Sequence, residues 1–131
     1  MARKSSILAS SKTESTLLVL FIPSVDRDGK LCKQETWKNS ALILLGELFG
    51  GATAFARGEG VWRDDERGQK LVFDQPYIIH CYTNDRDLRQ KASDLRAFLV
   101  RMGKATNQGA VGLVIDRDYC EIRMSGENSN E

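Results

Sequence analysis

His80 is the single histidine of this 131-residue chain and its most obvious candidate for proton transfer. The histidine side chain changes charge near neutral pH, which is what a general base requires. Within a predicted strand, however, a lone histidine more often has a structural role. Cys81 follows directly, but successive side chains of a strand point to opposite faces, so a nucleophile–base pair of Cys81 and His80 is disfavoured.

Two carboxylates, Asp26 and Asp28, lie in a turn-rich segment directly after a predicted strand. Such a pair can hold a divalent metal or act as acid and base. The alternative is a turn in which the carboxylates accept hydrogen bonds from nearby backbone amides. Gly29 comes too early for a calcium-binding loop and no metal-ligand spacing is present, so we assign no metal ligand and no cofactor. With His80, the two aspartates form the candidate catalytic set.

A segment rich in glycine and alanine, residues 50–63, supplies the candidate binding residues. Small side chains let a ligand or another chain approach the backbone closely. The glycines do not match a phosphate-binding loop, because they follow a predicted helix and open a strand. We take the polar and aromatic members of the segment as binding candidates: Thr53, Arg57, Trp62 and Arg63.

Two short apolar runs, residues 16–22 and 77–82, predict the strands that would position these side chains. The first run stops at Pro23 and is too short for a helix, which favours a strand. In both runs the odd-numbered and the even-numbered residues are largely apolar, so both faces of the sheet should be covered. Gly58 and Gly60 indicate a bulge or bend, and Pro76 a bulge or a break in the strand.

Two amphipathic patterns predict helices. Residues 35–49 carry apolar side chains at helical spacing, and Gly50 and Gly51 follow as a C-terminal stop. The second helix begins at the capping residues 83–85, with Gly103 near its stop. Its apolar stripe repeats every three or four residues: Leu88, Ala92, Leu95, Leu99 and Met102.

The order of elements predicts an α+β protein with a ferredoxin-like β-α-β-β-α-β fold. A polar turn at residues 64–68 predicts a hairpin between the two helices, and residues 110–115 and 119–124 predict a C-terminal hairpin that adds an extra strand. Both helices then cover one face of an antiparallel sheet. We expect a single domain over residues 15–124, between a flexible tail at 1–14 and a disordered tail at 125–131.

Composition excludes several classes of protein. Apolar residues make up 41% and charged residues 28% of the chain, as in soluble globular domains. A net charge of +1 and the absence of an RNA-binding aromatic motif make nucleic acid a weakly supported partner. No apolar run is long enough to span a membrane. Three cysteines without paired spacing favour free thiols, so we expect a cytoplasmic protein.

Three sequence motifs stand out along the chain: FIPSVDRDG at residues 21–29, FGGAT at 49–53 followed by Gly58-x-Gly60-x-Trp62, and Gln108-x-x-Val111. In these motifs the chain resembles small, uncharacterised bacterial or phage-type proteins with a ferredoxin-like fold. The resemblance covers most of residues 16–123. It implies a compact domain of that fold and brings no catalytic residues with it.

The apolar second face of the sheet favours a small binding or assembly module. Covering several hundred Å² of apolar surface at about 25 cal/mol per Å² would supply several kcal/mol to an association. A homodimer or another homo-oligomer through that face is the simplest cover, with a protein partner or a ligand as alternatives. Two other functions stay open. One is a metal-assisted phosphodiesterase or nuclease that uses Asp26, Asp28 and His80. The other is a small-ligand sensor with its pocket beside Thr53, Arg57 and Trp62.

Overall fold

The computed structural model describes residues 4–9, 11–55 and 57–126. This part of the chain contains three α-helices, seven strands and two short 3-10 turns. The helices are α1 (Ser5–Leu8), α2 (Gln34–Phe49) and α3 (Asp85–Ala105). The strands are β1 (Thr16–Ile22), β2 (Thr53–Phe55), β3 (Gly60–Asp64), β4 (Lys70–Asp74), β5 (Tyr77–Thr83), β6 (Ala110–Ile115) and β7 (Asp118–Arg123).

Five of the strands form one antiparallel sheet in the order β2-β5-β1-β6-β7. The helices α2 and α3 follow β1 and β5, so the first four positions reproduce the ferredoxin-like strand order. The strand β7 is the extra C-terminal strand, which pairs with β6 along its full length. The predicted fold class is therefore confirmed.

The hairpin of β3 and β4 lies outside this sheet and forms a two-stranded sheet of its own. Two interruptions in the chain separate it from the main sheet. Gly58 packs so closely on Ile78 that an added Cβ would lie 3.0 Å from the Ile78 Cδ1 atom, and its amide donates to the Pro76 carbonyl at 2.9 Å. Pro76 itself has no amide hydrogen with which to continue a ladder. The bulge or bend expected at Gly58 is thus a complete break, and at Pro76 the structure has the break in the strand and not the bulge.

Both long helices begin and end close to their predicted positions. Gly50 closes α2 in the left-handed region, with φ at 95° and its amide donating to Gly46. Asn84 caps α3, because its side chain accepts a hydrogen bond from the Asp87 amide at 2.8 Å. The helix α3 continues past Gly103, however, to Ala105. Gly103 lies against β6 instead, where an added Cβ would approach Val111 Cγ2 to 2.7 Å.

The hydrophobic core lies between the main sheet and the two long helices. Alternate residues of β1 and β5 point into it and are fully or almost fully buried, as strand geometry requires. On α2 the apolar buried positions Ala41, Leu45 and Phe49 follow the predicted pattern. On α3 the predicted Leu95, Leu99 and Met102 are buried, but the predicted Ala92 is exposed and Phe98, outside the predicted stripe, is buried. The core side chains from these four elements include Leu18, Leu20, Ile22, Leu45, Ile79, Cys81, Leu99 and Met102.

The opposite face of the sheet is apolar and open within a single chain. Tyr82 on β5 is 57% exposed, and Phe55 on β2 is 48% exposed. Val19, in the middle of the next strand β1, faces the same side of the sheet and is buried. That a second copy covers this face in solution stays a prediction.

The predicted tails lie partly outside the described residues. Within the expected flexible tail at 1–14, the four residues Ser5–Leu8 form the helical turn α1. Residues 1–3, residue 10 and residues 127–131 are outside the described part of the chain. Among the helices that the structure does describe, none has the length and apolar character needed to cross a membrane.

Candidate functional site

An open cleft of about 810 Å³ lies between three parts of the fold. Its walls are the loop after β1, the first turn of α2 and the base of the β3–β4 hairpin. The size lies in the range of pockets that hold small molecules, roughly 300–1,000 Å³. Charged side chains of both signs line it: Lys33, Glu35, Arg57, Glu59 and Asp74.

Asp74 is fixed in this cleft by Ser24. Its Oδ1 atom accepts a hydrogen bond from the Ser24 amide at 2.8 Å and another from the Ser24 hydroxyl at 2.6 Å. The same hydroxyl oxygen accepts a hydrogen bond from the Gln75 amide at 2.9 Å. Asp74 ends β4 and Ser24 follows β1, so this unit joins the hairpin to the main sheet and holds a carboxylate in one orientation.

Two side chains at the start of α2 shape the floor of the cleft. Gln34 is buried, and its Nε2 atom donates to the carbonyls of Ile22 at 3.1 Å and Gln75 at 2.9 Å. The Cys32 thiol donates to the Pro23 carbonyl. Burial raises the pKa of the Cys32 thiol, and the negative charge of Asp74 adds to the rise.

A second polar group lies at the α2 side of the cleft. Glu35 accepts hydrogen bonds from Lys38 at 2.8 Å and from the Tyr77 hydroxyl. The bond from Lys38 is the largest influence, and with that of Tyr77 it holds the pKa of Glu35 below its usual range. Arg57 lies 5.5 Å from the centre of the Tyr77 ring. At neutral pH this wall therefore carries the Glu35 carboxylate beside the cations of Lys38 and Arg57.

The hairpin is held in place by an ion pair that we call the hairpin latch, Arg27 with Asp64. The Arg27 guanidinium donates from Nε to Oδ2 at 3.0 Å and from Nη2 to Oδ1 at 2.8 Å. The side chains are 15% and 3% exposed, respectively. The hydrogen bonds from Arg27 hold the pKa of Asp64 below its usual range, against the effect of burial. A second, exposed pair joins Arg67 of the hairpin to Asp28.

A smaller cavity of about 230 Å³ adjoins the cleft on the other side of the hairpin base. Gly60 and Asp74 line both cavities, so the two meet at these residues. Trp62 and Tyr119 contribute aromatic walls. The site thus consists of a large polar cleft and a small, mostly apolar compartment.

The predicted catalytic residues are not brought together. Asp26 accepts hydrogen bonds from the amides of Asp28 at 2.8 Å and Lys30 at 2.9 Å, which is the turn alternative. Burial alone would raise the pKa of Asp26, but these two bonds outweigh it and lower the pKa. Asp28 pairs with Arg67 and also accepts a hydrogen bond from Asn107. Neither aspartate lines the cleft or the smaller cavity.

His80 lies in the middle of β5, opposite Val19 of β1. From Val19 to the end of β1 at Ile22 is about 10 Å at the rise of a strand, and Asp26 lies four residues further on. The imidazole packs edge-to-face on Phe55 with 4.9 Å between ring centres. His80 therefore belongs to the open sheet face and not to the cleft.

The predicted binding residues divide between different places. Arg57 lines the cleft, and Trp62 lines the smaller cavity. Arg63 pairs with Asp65 at the surface, and Thr53 lies opposite His80 on the edge strand β2. The described residues include no group of three or more His, Cys, Asp or Glu side chains placed to hold a metal ion. As binding residues, all four remain predictions.

Sequence reasoning missed the residues that define the cleft, above all Ser24 and Asp74. Their one sequence signal is position, because each is a polar residue next to a strand end and a proline, Pro23 or Pro76. That signal does not distinguish Asp74 from many other aspartates. The pairing of Ser24 with Asp74 becomes visible only in the fold.

No family model matches the chain, and no curated protein is detectably similar to it in sequence. Two solved structures share its fold. One is a phage SAM lyase in complex with S-methyl-5'-thioadenosine, with a TM-score of 0.66, 14% identity and coverage of 92% of this chain and 98% of that chain. The other is a phage SAM lyase in the apo state, with a TM-score of 0.60, 15% identity and coverage of 92% and 99%. The phage-type resemblance is thereby supported.

This likeness corrects the function predicted from the sequence. A binding or assembly module of unknown biochemical activity was expected, but the two solved structures are those of an enzyme. The two alternative functions, a phosphodiesterase or nuclease and a ligand sensor, also differ from the lyase activity named for these structures. The prediction was wrong because it relied on the apolar sheet face and did not consider the cleft at the base of the hairpin.

Proposed function

We propose that this protein is a lyase that cleaves S-adenosylmethionine (SAM) and releases S-methyl-5'-thioadenosine. The observation that carries the proposal is the full-length likeness of the fold to a SAM lyase in complex with that nucleoside. The cleft and its fixed carboxylate supply a place for the reaction. We also keep the cytoplasm as the expected location, because the three cysteines are free thiols.

The chemistry of the substrate sets what the site must offer. SAM carries a sulfonium cation, an ammonium group and a carboxylate. S-methyl-5'-thioadenosine remains when the bond between sulfur and the four-carbon chain breaks, and the electron pair of that bond neutralises the sulfur. The carbon that loses sulfur forms a new bond in one of two ways. The substrate's own carboxylate attacks this carbon and closes a lactone, or the neighbouring carbon loses a proton and an alkene forms. Neither route consumes water or an oxidant.

Asp74 is the residue of the cleft best placed to stabilise the sulfonium. Its carboxylate is oriented by Ser24, with hydrogen bonds of 2.8 and 2.6 Å, so little reorganisation is needed when a cation binds. It also lies where the cleft meets the smaller cavity, which is where the middle of an elongated ligand would lie. Asp74 would therefore fix the sulfur between the two parts of the substrate.

The other end of the cleft suits the amino-acid part. The first turn of α2 lines the cleft, and Lys33 at its N-cap makes no side-chain capping hydrogen bond. Backbone amides at a helix N-terminus attract carboxylates, and Lys33 and Arg57 add positive charge. The carboxylates Glu35 and Glu59 offer partners for the ammonium group.

The test is cleavage of SAM by the purified protein, measured as S-methyl-5'-thioadenosine by chromatography. We expect Asp74→Asn to lower kcat/KM by about 100-fold or more, because the variant loses the fixed negative charge that binds the sulfonium cation. Asp94→Asn, which changes an exposed carboxylate on α3, is the matched control and should leave the rate unchanged. No nucleoside from the unaltered protein would refute the lyase. Full activity in Asp74→Asn would refute the assignment to this cleft.

A further inference from the structure

The smaller cavity differs from the cleft in size and in the chemistry of its walls. Its volume of about 230 Å³ is below the usual range for a whole small-molecule site, roughly 300–1,000 Å³, but is sufficient for a flat fragment. It is lined largely by apolar and aromatic side chains, whereas the cleft carries five charged ones. The two cavities therefore suit different parts of one ligand.

The aromatic walls are held by close packing on glycines. Trp62 lies over Gly109, where an added Cβ would be 3.5 Å from the far edge of the indole. Tyr119 lies across Gly112, where an added Cβ would be 2.8 Å from two atoms of the phenol ring. Any larger side chain at Gly112 would displace that ring. Two flat side chains thus lie at the wall of one small compartment, and Tyr119 is 62% exposed to solvent.

We infer that this compartment binds the adenine ring of the substrate, an inference that rests on the proposed function. A purine stacks favourably on tryptophan and tyrosine faces. Glu121 lines the same compartment and accepts a hydrogen bond from the Tyr119 hydroxyl at 3.2 Å. Its carboxylate supplies an acceptor for the exocyclic amino group of adenine. With adenine here and the amino acid in the cleft, the sulfur falls at Asp74.

The compartment can be tested with Trp62 as a reporter. The chain has two tryptophans, and Trp37 packs on Phe98 away from both cavities. In a Trp37→Phe variant the indole emission therefore comes from Trp62 alone. We expect S-methyl-5'-thioadenosine and adenosine to change this emission in a saturable way and methionine to leave it unchanged. Equilibrium dialysis with the same ligands measures binding independently.

Variants in the compartment supply the second measurement. Trp62→Ala should weaken binding of S-methyl-5'-thioadenosine at least about tenfold, whereas Trp62→Phe, which keeps a ring for stacking, should weaken it less. Glu121→Gln should lower the preference for S-methyl-5'-thioadenosine over S-methyl-5'-thioinosine, because Gln donates to the 6-oxo group that the carboxylate disfavours. Circular dichroism checks that each variant is folded.

The outcomes separate this inference from the proposed function. If the protein cleaves SAM and dialysis shows nucleoside binding, but Trp62 emission and the Trp62 and Glu121 variants do not respond, the adenine compartment is refuted and the lyase stands. If the protein neither cleaves SAM nor binds the nucleoside, both fail. Saturable emission changes with adenosine, together with the graded Trp62 series, would establish the compartment.

Discussion

Asp26 and Asp74 are both aspartates close to the end of a strand, yet only Asp74 lines the cleft. Asp26 accepts its hydrogen bonds from amides two and four residues away, a local pattern that the turn-rich sequence predicts. Asp74 is held by Ser24, fifty residues earlier in the chain. Spacing along the sequence cannot reveal a pairing that the fold creates. For this reason the sequence predicted the turn correctly and missed the cleft.

Cys32 gives a test of ligand position at the same scale. It lines the cleft, and burial together with Asp74 raises the pKa of its thiol. Alkylation by iodoacetamide should therefore still accelerate above pH 9, because only the thiolate reacts. Saturating S-methyl-5'-thioadenosine, whose sulfur we place at Asp74 in the same cleft, should slow alkylation of Cys32 at least several-fold, as measured by mass spectrometry of the labelled peptides.

Cys120 serves as the internal control, since it lines neither the cleft nor the smaller cavity. Its alkylation should be the same with and without the nucleoside. The Cys81 thiol, buried and with its pKa raised to about 11, should stay unlabelled in the folded protein. If calorimetry shows that the nucleoside binds while Cys32 reacts at an unchanged rate, the ligand lies elsewhere.

The secondary-structure elements were largely predictable because their signals are local. The stripe of α2, its stop at Gly50 and the Asn84 cap of α3 each depend on residues within one or two turns. The sequence did not predict the position of the β3–β4 hairpin, whose strands pair with each other and not with the main sheet. Contacts between residues far apart in the sequence fix the hairpin: the latch between Arg27 and Asp64, which are 37 residues apart, and the hydrogen bonds between Ser24 and Asp74.

The hairpin latch should make stability depend on pH. Because the pKa of Asp64 is lower in the folded than in the unfolded chain, the pair stabilises the fold above the ordinary aspartate pKa of about 3.9. This stabilisation is lost as the pH falls through the folded pKa. At pH 7, Asp64→Asn should cost about 3 kcal/mol in the free energy of unfolding, since it leaves Arg27 without its buried partner. Urea titrations between pH 7 and pH 3 measure both quantities.

Asp65→Asn is the matched control for the latch. Asp65 also pairs with an arginine, Arg63, but both side chains are well exposed to water. Its loss should therefore cost far less than the loss of Asp64. The latch would be ruled out as the source of the pH dependence if the difference between the unaltered protein and Asp64→Asn were equally large at pH 7 and pH 3.

On the scale of the whole molecule, the sheet face opposite the helices is an apolar surface that the proposed function leaves partly unexplained. Its exposed aromatic side chains include Phe55 and Tyr82, on neighbouring strands around the partly buried His80, and Tyr119 on β7, which the strand register places on the same face. Such a face is rarely left in water, so we expect a homo-oligomer that covers the part around Phe55 and Tyr82. The odd-numbered and the even-numbered residues of β1 and β5 are largely apolar, and this pattern predicted the surface from the sequence. No sequence pattern specifies what covers it.

Sedimentation velocity tests this expectation. The unaltered protein should sediment as a multiple of the single-chain mass, and Tyr82→Glu should shift it to the single chain, because a charge would then be buried against apolar surface. Ile43→Glu is the control, since Ile43 is exposed on α2 in the helical layer. A single-chain mass for the unaltered protein at high concentration would contradict the prediction.

The position of β1 at the centre of the main sheet has a consequence for synthesis. This strand is made first, yet its two neighbours are β5 and β6, which begin at residues 77 and 110. During translation one edge of β1 therefore stays unpaired until β5 has left the ribosome, and the other until β6 has. Nascent chains that stall after α3 would expose one bare apolar strand edge, and we expect such fragments to aggregate or to be held by chaperones.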